Sequence, residues 1–549
     1  MLATTTFTAG SHLIGDSLFL SAMAGLLPLV VFFVLLGVFG VKTHWCAIIS
    51  LGVSLVVAVL GFQMPLTYAL LAGTQGAGLG FMPILYIIIA AVWLYNLTER
   101  SGRAADVRTA FNLVGKGDQR VLALLIGFSF CGLLEGLAGF GAPVAIVAAI
   151  LVTVGFDPIK AAMITIVGNA INVGYGAMAI PVTSAAKSVD LEPTVVASWM
   201  GHITPIIAAF IPMILLLIAD GVRGLKQLWP AALLVGAVTA GGHYWATNFF
   251  SYELTAVISS LLGFASIALL MQIWTPTTPA EVQADQAQGL TLSRATLALM
   301  PYWLVVIVFG IAKLWTLGVD LPALLKTTDV KFGWPGLHGN LVNAAGEPIA
   351  GTNFTVQTLG SPGTLIVLTA VIVSLVYGLT SSGGKFPFTF GQGLRLLFTT
   401  IYNLRIAILT IATIMALAFV MNFSGQTGTI GLWMAGVGTT FVFISPVLGW
   451  IGTAVTGSAT SAGALFANLQ YTAAGQIGAD PNLLVGTNAV GGGLGKIVSP
   501  QNLAIAVGAI GKEGAEPELL RKAGPISIGL LVVLCLLVGS ASLLFPPVP

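Results

Sequence analysis

Glu135 and Lys496 stand where a charge is hardest to keep. Glu135 lies in LLEGLAGFGAP (Leu133 to Pro143) and Lys496 in GGGLGKIVSPQ (Gly491 to Gln501), each within a long apolar stretch. A charged side chain midway through a membrane segment costs at least ~2.5–3.5 kcal/mol unless paired or hydrated, so such residues mark ion pathways, proton relays or substrate sites. Lys496 is expected to meet a carboxylate, a substrate's or that of Glu135. Glu135 is expected to carry or sense a proton. The plainer alternatives are a lysine that snorkels to the interface and a fixed structural ion pair.

Neutral polar groups accompany them. Asn169, Asn172 and Tyr175 fall in NAINVGYGAMAIP (Asn169 to Pro181), while Asn488, Ser499 and Gln501 fall in or just after NAVGGGLGKIVSP (Asn488 to Pro500). Hydroxyls at Thr453, Thr456, Ser458, Thr460 and Ser461 lie in GTAVTGSATS (Gly452 to Ser461). Helices broken by Gly and Pro at membrane depth free backbone N–H groups that can hold an anion, and they are the best sequence pointer to a transport site. A Gly-rich packing seam and ordinary turn chemistry would explain the same residues without a ligand. Arg405 is expected to snorkel at the start of its span, and His202, His243 and Glu253 lack metal-ligand spacing. Cys46, Cys131 and Cys535 read as packing. With no cofactor or metal motif, phosphate-cradling loop or catalytic triad pattern, an enzyme is not expected.

The elements that must position these groups follow from composition. Of 549 residues, 57% are hydrophobic and 7% charged, with 21 Lys or Arg against 19 Asp or Glu, and the mean hydropathy is +0.99. That excludes a soluble enzyme and a disordered scaffold, and a net charge of +2 gives no field for nucleic acid. Apolar runs of about 20 residues recur without period-two alternation, which fits helices and not a membrane barrel. The expected fold is all-α: a polytopic membrane transporter of about 12 spans plus two re-entrant hairpins in two inverted repeats. The first 22 residues hold no Lys or Arg, so the first apolar segment is expected to remain as a span rather than act as a cleaved signal.

The hairpins are expected at 121–154 and 430–470, because each stretch is interrupted by Gly, Ser and Thr. Irregular backbone survives at membrane depth only where protein or a watery cavity satisfies it. With residues 1–22 outside, the loops that then face the cytoplasm hold 15 of the 21 basic residues, as the positive-inside rule requires. The loop at 317–362 becomes external. Residues 23–219 form a first repeat and 295–549 a second, joined by two linking spans within 220–294. Aligning Asn169 to Pro181 with Asn488 to Pro500 gives five identities in 13, and an Asp-Pro pair precedes each segment. The expected spans include Met82 to Thr98, Pro158 to Val182, Thr194 to Ala219, Pro230 to Ala246, Ala295 to Thr316, Leu396 to Met421, Pro481 to Ala504 and Ile526 to Phe545.

LLEGLAGFGAPVAI (Leu133 to Ile146), FDP (Phe156 to Pro158), TGSATSAGALFANLQ (Thr456 to Gln470) and GGGLGKIVSPQNLAIA (Gly491 to Ala506) resemble the bacterial lactate permease family, end to end. The resemblance implies uptake of lactate or glycolate by proton symport across the bacterial inner membrane. It implies roles for Glu135, Gly139 and Gly141 in the first hairpin, and for Ser458, Thr460, Lys496, Ser499 and Gln501 in the second half. Many members resemble GSDTSSN where this chain has GSATSAG (Gly457 to Gly463), so Ala459 lacks a carboxylate and Glu135 gains weight. In the combined expectation, Lys496 and helix N-termini neutralise the substrate carboxylate, and Asn and Ser/Thr groups recognise its 2-hydroxyl. The partners are then the small acid, protons and the lipid bilayer, with no nucleic acid. A sodium-coupled or dicarboxylate transporter of the same architecture is the alternative.

Overall fold

The computed structural model describes residues 6–8, 14–37, 39, 41–137, 139, 141–279, 289–312, 324–325, 327–342, 348–359, 361–381, 384–512 and 515–544. Helix dominates, as it must where peptide groups have no water to bond. Helices α1 (Leu18–Gly37) and α2 (Thr43–Val56) precede α3 (Leu66–Leu79) and α4 (Tyr86–Arg100). The short α5 (Ala104–Gly115) leads to α6 (Gln119–Leu122), which continues through the π-helical stretch Ala123–Phe130 into α7 (Cys131–Leu137). Next come α8 (Ala142–Thr153), α9 (Pro158–Asn169), the 3-10 turn Ala170–Tyr175 and α10 (Gly176–Ser188). The middle of the chain forms α11 (Pro193–Trp245), α12 (Thr255–Ile273), α13 (Leu292–Ala298) and α14 (Met300–Ala312).

The remaining helices are α15 (Pro362–Leu379), α16 (Phe390–Asn403), α17 (Arg405–Ser424), α18 (Gln426–Ala435) and α19 (Thr440–Thr456). They end with α20 (Ala459–Ile477), α21 (Pro481–Lys496), α22 (Pro500–Ala509) and α23 (Glu516–Leu544). Three short strands between α14 and α15, with one that precedes α1, form two small sheets. Strand β1 (Phe7–Thr8) pairs in parallel with β3 (Leu341–Val342), and β2 (Val330–Gly333) pairs antiparallel with β4 (Asn353–Val356), Val330 opposite Val356.

Among the described residues, nine helical segments are long and apolar enough to cross a membrane, with three shorter apolar helices at Pro143–Val152, Gly363–Leu379 and Thr440–Ala454. Several expected boundaries shift. The segment expected at Met82 to Thr98 is part of Leu66–Arg100, because α3 joins α4 through a kink at Met82 (φ −134°, ψ 114°). The expected loop at 220–228 is helical, so Thr194 to Ala219 and Pro230 to Ala246 merge into α11. A break at Asp220 and Gly221 marks the join. Helix α16 is separate from α17, which starts at Arg405, where that residue was expected to snorkel; its Nη1 donates to the Tyr402 carbonyl at 2.9 Å. The second interrupted stretch starts at Thr440 and ends at Ile477, and the short α18 stands outside it. Lys313 and Lys326, the end of the span expected at Ala295 to Thr316, and much of 317–362 lie outside the described residues.

Both expected interruptions are present. Helix α7 ends at Leu137 and α8 begins after Gly141, while α19 ends at Thr456 and α20 begins after Ser458. Gly141 (φ 83°) and Gly457 (φ 74°) take the left-handed backbone these reversals need, which glycine adopts without a Cβ clash. The two matched Asn-to-Pro segments break as well, over Ala170–Ala179 and over Ile497–Ser499.

Helix α21 is seated by its glycines. A methyl at Gly491 would overlap the carbonyl oxygen of Pro446, and one at Gly495 that of Trp450, both on α19; on another face, a methyl at Gly493 would overlap the Ala170 carbonyl. Small residues let backbones meet where helix association relies on close packing. Lys496 is the next residue, so this seam fixes where its side chain starts. Gly495→Leu is expected to cost roughly 1–3 kcal/mol through overpacking, read as a lower melting temperature of the purified protein. An unchanged melting temperature would contradict the seam.

Candidate functional site

The breaks converge on one cavity. A cavity of about 80 Å³ is lined by Glu135, Gly139, Gly141, Gly176 and Ala177 from the first half, and by Gly457, Ser458, Ala459, Thr460, Lys496, Gln501 and Asn502 from the second. Val173, Ile180, Pro181 and Ile505 supply apolar wall.

Three helices begin at this cavity. The N-cap of α8 is Gly141; that of α20 is Ser458, whose Oγ accepts from the Ser461 N–H at 3.2 Å; that of α22 is Ser499, whose Oγ accepts from the Asn502 N–H at 3.2 Å. Each start carries the positive end of a helix dipole, so together they favour an anion. Helix α10 begins differently, in a left-handed turn through Ala177, Met178 and Ala179 (φ 43°, 60° and 58°). Left-handed backbone costs an L-residue roughly 1–2 kcal/mol, which makes this wall a strained segment beside the site.

The charged residues meet inside. Lys496 Nζ donates to Glu135 Oε1 at 2.9 Å, with the two side chains 7% and 2% exposed. Asn169 Nδ2 donates to Glu135 Oε2 at 2.8 Å, so both carboxylate oxygens are held. Gly176 makes room for this arrangement, since a methyl there would stand 2.8 Å from Oε1. The Cys131 thiol, 3.5 Å from Asn169 Oδ1, donates to it and orients the amide.

Of the residues singled out in the sequence, Glu135, Gly139, Gly141, Ser458, Thr460, Lys496 and Gln501 line the cavity, and Asn169 reaches it through Glu135. Others are committed elsewhere. Asn172 Oδ1 lies 3.1 Å from His243 Nε2, Tyr175 OH lies 3.2 Å from Thr204 Oγ1, and Asn488 Nδ2 donates to Gln470 Oε1 at 2.8 Å. These three stand behind the wall because helix periodicity turns them away from it. Ser461 and Ser499 take part through the caps of α20 and α22, outside the lining. Thr456 Oγ1 donates to the Gly452 carbonyl at 2.6 Å, closing the end of α19. Sequence reading stopped one residue short of Asn502; the signal was the N-cap Ser499 and Pro500, which make Asn502 the third residue of a helix starting at the site.

A protein-family model described as L-lactate permease matches residues 21–545. The chain belongs to the L-lactate permease family. The L-lactate permease of Bacillus subtilis (strain 168) is 35% identical over 552 residues, covering 95% of this chain and 96% of that protein. Glycolate permease GlcA of Escherichia coli (strain K12) is 36% identical over 531 residues, covering 91% and 92%. Among solved structures, MtrF of Neisseria gonorrhoeae, described with a class of antimetabolite efflux pumps, covers 94% of this chain and 98% of its own at 14% identity, with a TM-score of 0.49. Members of the permease family are transporters and not enzymes, and this chain is a multi-pass membrane protein of that kind.

The buried pair has a stability consequence. Removing one partner strands the other charge, whereas removing both does not. Lys496→Met and Glu135→Gln are each expected to destabilise the protein by about 3–5 kcal/mol, and the double variant by less than either. Denaturant unfolding of the three variants checks this, and additive losses would contradict direct pairing.

Proposed function

We propose that this protein imports small 2-hydroxymonocarboxylates, lactate or glycolate, by proton symport across the bacterial inner membrane. The observation that carries the reading is the Lys496–Glu135 pair at 2.9 Å on the wall of the cavity. The substrate class comes from the relatives, one named L-lactate permease and one glycolate permease. The coupling comes from charge.

With Glu135 ionised, the pair is neutral, and an incoming carboxylate would add one uncompensated negative charge in a low-dielectric setting. That charge is expensive. A proton on Glu135 removes the competitor: Lys496 then turns to the substrate carboxylate, and the loaded site is again neutral. The three helix N-termini at the cavity add partial positive charge on the same side of the balance. Proton and anion thus enter together because neither state tolerates a net charge. Among the described residues lining the cavity, Lys496 is the one cation, which suits a monocarboxylate better than a dicarboxylate. The two interrupted segments, Gln119–Thr153 and Thr440–Ile477, both supply parts of the wall. Alternating access is then a movement of one of the two inverted halves, 23–219 and 295–549, against the other around this site.

Lactate is expected to accumulate in proteoliposomes under an imposed pH gradient, alkaline inside, without sodium and without competition from succinate. Uptake that persists unchanged after the gradient is collapsed would rule out proton coupling. Lys496→Ala is expected to weaken lactate binding about 10- to 100-fold, the worth of a charge-assisted bond. Normal lactate affinity in that variant would remove Lys496 from the site. Glu135→Gln is expected to lose accumulation driven by the pH gradient, and wild-type accumulation in that variant would take the proton role from Glu135.

A further inference from the structure

Asn502 carries an unsatisfied atom at the cavity wall. Its Nδ2 donates to the Lys496 carbonyl oxygen at 3.0 Å and its backbone N–H donates to Ser499 Oγ at 3.2 Å. Its Oδ1 has no hydrogen-bond partner, although the residue is only 3% exposed. The bond to the Lys496 carbonyl settles which end of the amide is which. A carbonyl oxygen can only accept, so the end of the amide facing it is the NH2 and the free atom is the acceptor oxygen. Buried acceptors in native proteins are seldom left unpaired, because their lost hydration is not returned. The Asn502 N–H is engaged on the cap, and one N–H of Lys496 on Glu135.

We propose that Asn502 reads the 2-hydroxyl of the substrate, its Oδ1 accepting the hydroxyl hydrogen while Lys496 holds the carboxylate. This deepens the transport reading above and rests on it. Asn502 and Lys496 flank the same three-residue break, Ile497–Ser499, and the Nδ2 bond ties one to the backbone of the other. A 2-hydroxy acid likewise carries its hydroxyl and carboxylate on adjacent carbons. A 2-oxo acid such as pyruvate presents only an acceptor at that carbon, and propionate presents nothing, so both leave Oδ1 unpaired. Among the asparagines singled out in the sequence, Asn169 is bound to Glu135 and Asn172 to His243, and Asn488, whose Oδ1 is also unpaired, bonds Gln470 outside the cavity lining.

The test is competition against labelled L-lactate uptake in proteoliposomes by unlabelled glycolate, pyruvate and propionate, for the wild type, Asn502→Leu and Asn502→Ser. In the wild type, glycolate is expected to inhibit at least about tenfold more potently than pyruvate or propionate, since a site built to bond a hydroxyl rejects analogues that lack it. In Asn502→Leu that ratio is expected to fall to near one. Equal inhibition by glycolate and pyruvate in the wild type overturns the assignment, and that measurement needs no variant to fold. A preserved ratio in a variant that still takes up label also overturns it, as does an equal loss of affinity for every acid, which would leave Asn502 only bracing the Lys496 carbonyl. Absence of any lactate uptake by the wild type would instead sink the transport reading, and this assignment with it.

Discussion

Hydrocarbon tolerates neither a lone charge nor an unpaired peptide group, and the arrangement around Glu135 answers both demands at once. Its carboxylate is held by Lys496 from the end of α21 and by Asn169 from the end of α9, so residues separated by 361 and 34 positions meet at one group. None of the three could be buried on its own. The ion pair is therefore less a source of stability than a condition on the rest of the fold, since a buried charge pair at best breaks even and a broken one is costly. Everything nearby is arranged to let those side chains meet: Gly176 leaves room for Oε1, and the glycines of α21 bring Lys496 close to α19 and to the turn at Ala170.

The broken helices meet the second demand by local chemistry. Ser458 and Ser499 cap the helices that start at the cavity, and Thr456 closes the one that ends there. What the caps leave over at the cavity is the Oδ1 of Asn502, a group a small hydroxy acid could satisfy. A second ionic hub lies away from the cavity. Arg120, fully buried, bonds Asp118 at 2.8 Å, Asp220 at 3.3 Å and the Thr277 carbonyl at 3.0 Å. It ties the start of the first interrupted stretch to the kink in α11 and to the segment after α12, so the helix carrying Glu135 is anchored at its root.

How much of this was legible in the sequence depended on whether a residue's cost could be assessed alone. Glu135 and Lys496 were legible because a charge in an apolar run is conspicuous without any structure. The helix breaks were legible because Gly and Pro act locally. Asn172, Tyr175 and Asn488 were as polar as Asn169, yet which face of a helix meets the cavity depends on its rotation, and a π-helical stretch at Ala123–Phe130 or a 3-10 turn at Ala170–Tyr175 shifts that rotation. The helical continuity of α11 across Asp220 was hidden for a related reason. Its polar stretch reads as a loop until Arg120 is seen to satisfy Asp220 from another helix.

The scarcity of charge bears finally on coupling. Among the described residues lining the cavity, Glu135 and Lys496 are the two ionisable groups, and Ala459 presents a methyl at the mouth of α20. A cavity with one acid and one base has few neutral states: the pair bonded to itself, or the acid protonated and the base bound to an anion. A single added carboxyl would offer a second place for the proton and loosen the link between proton and substrate. On this reading, tight coupling needs no separate proton channel at the site, because the low dielectric of the cavity admits the anion only in company with the charge that cancels it.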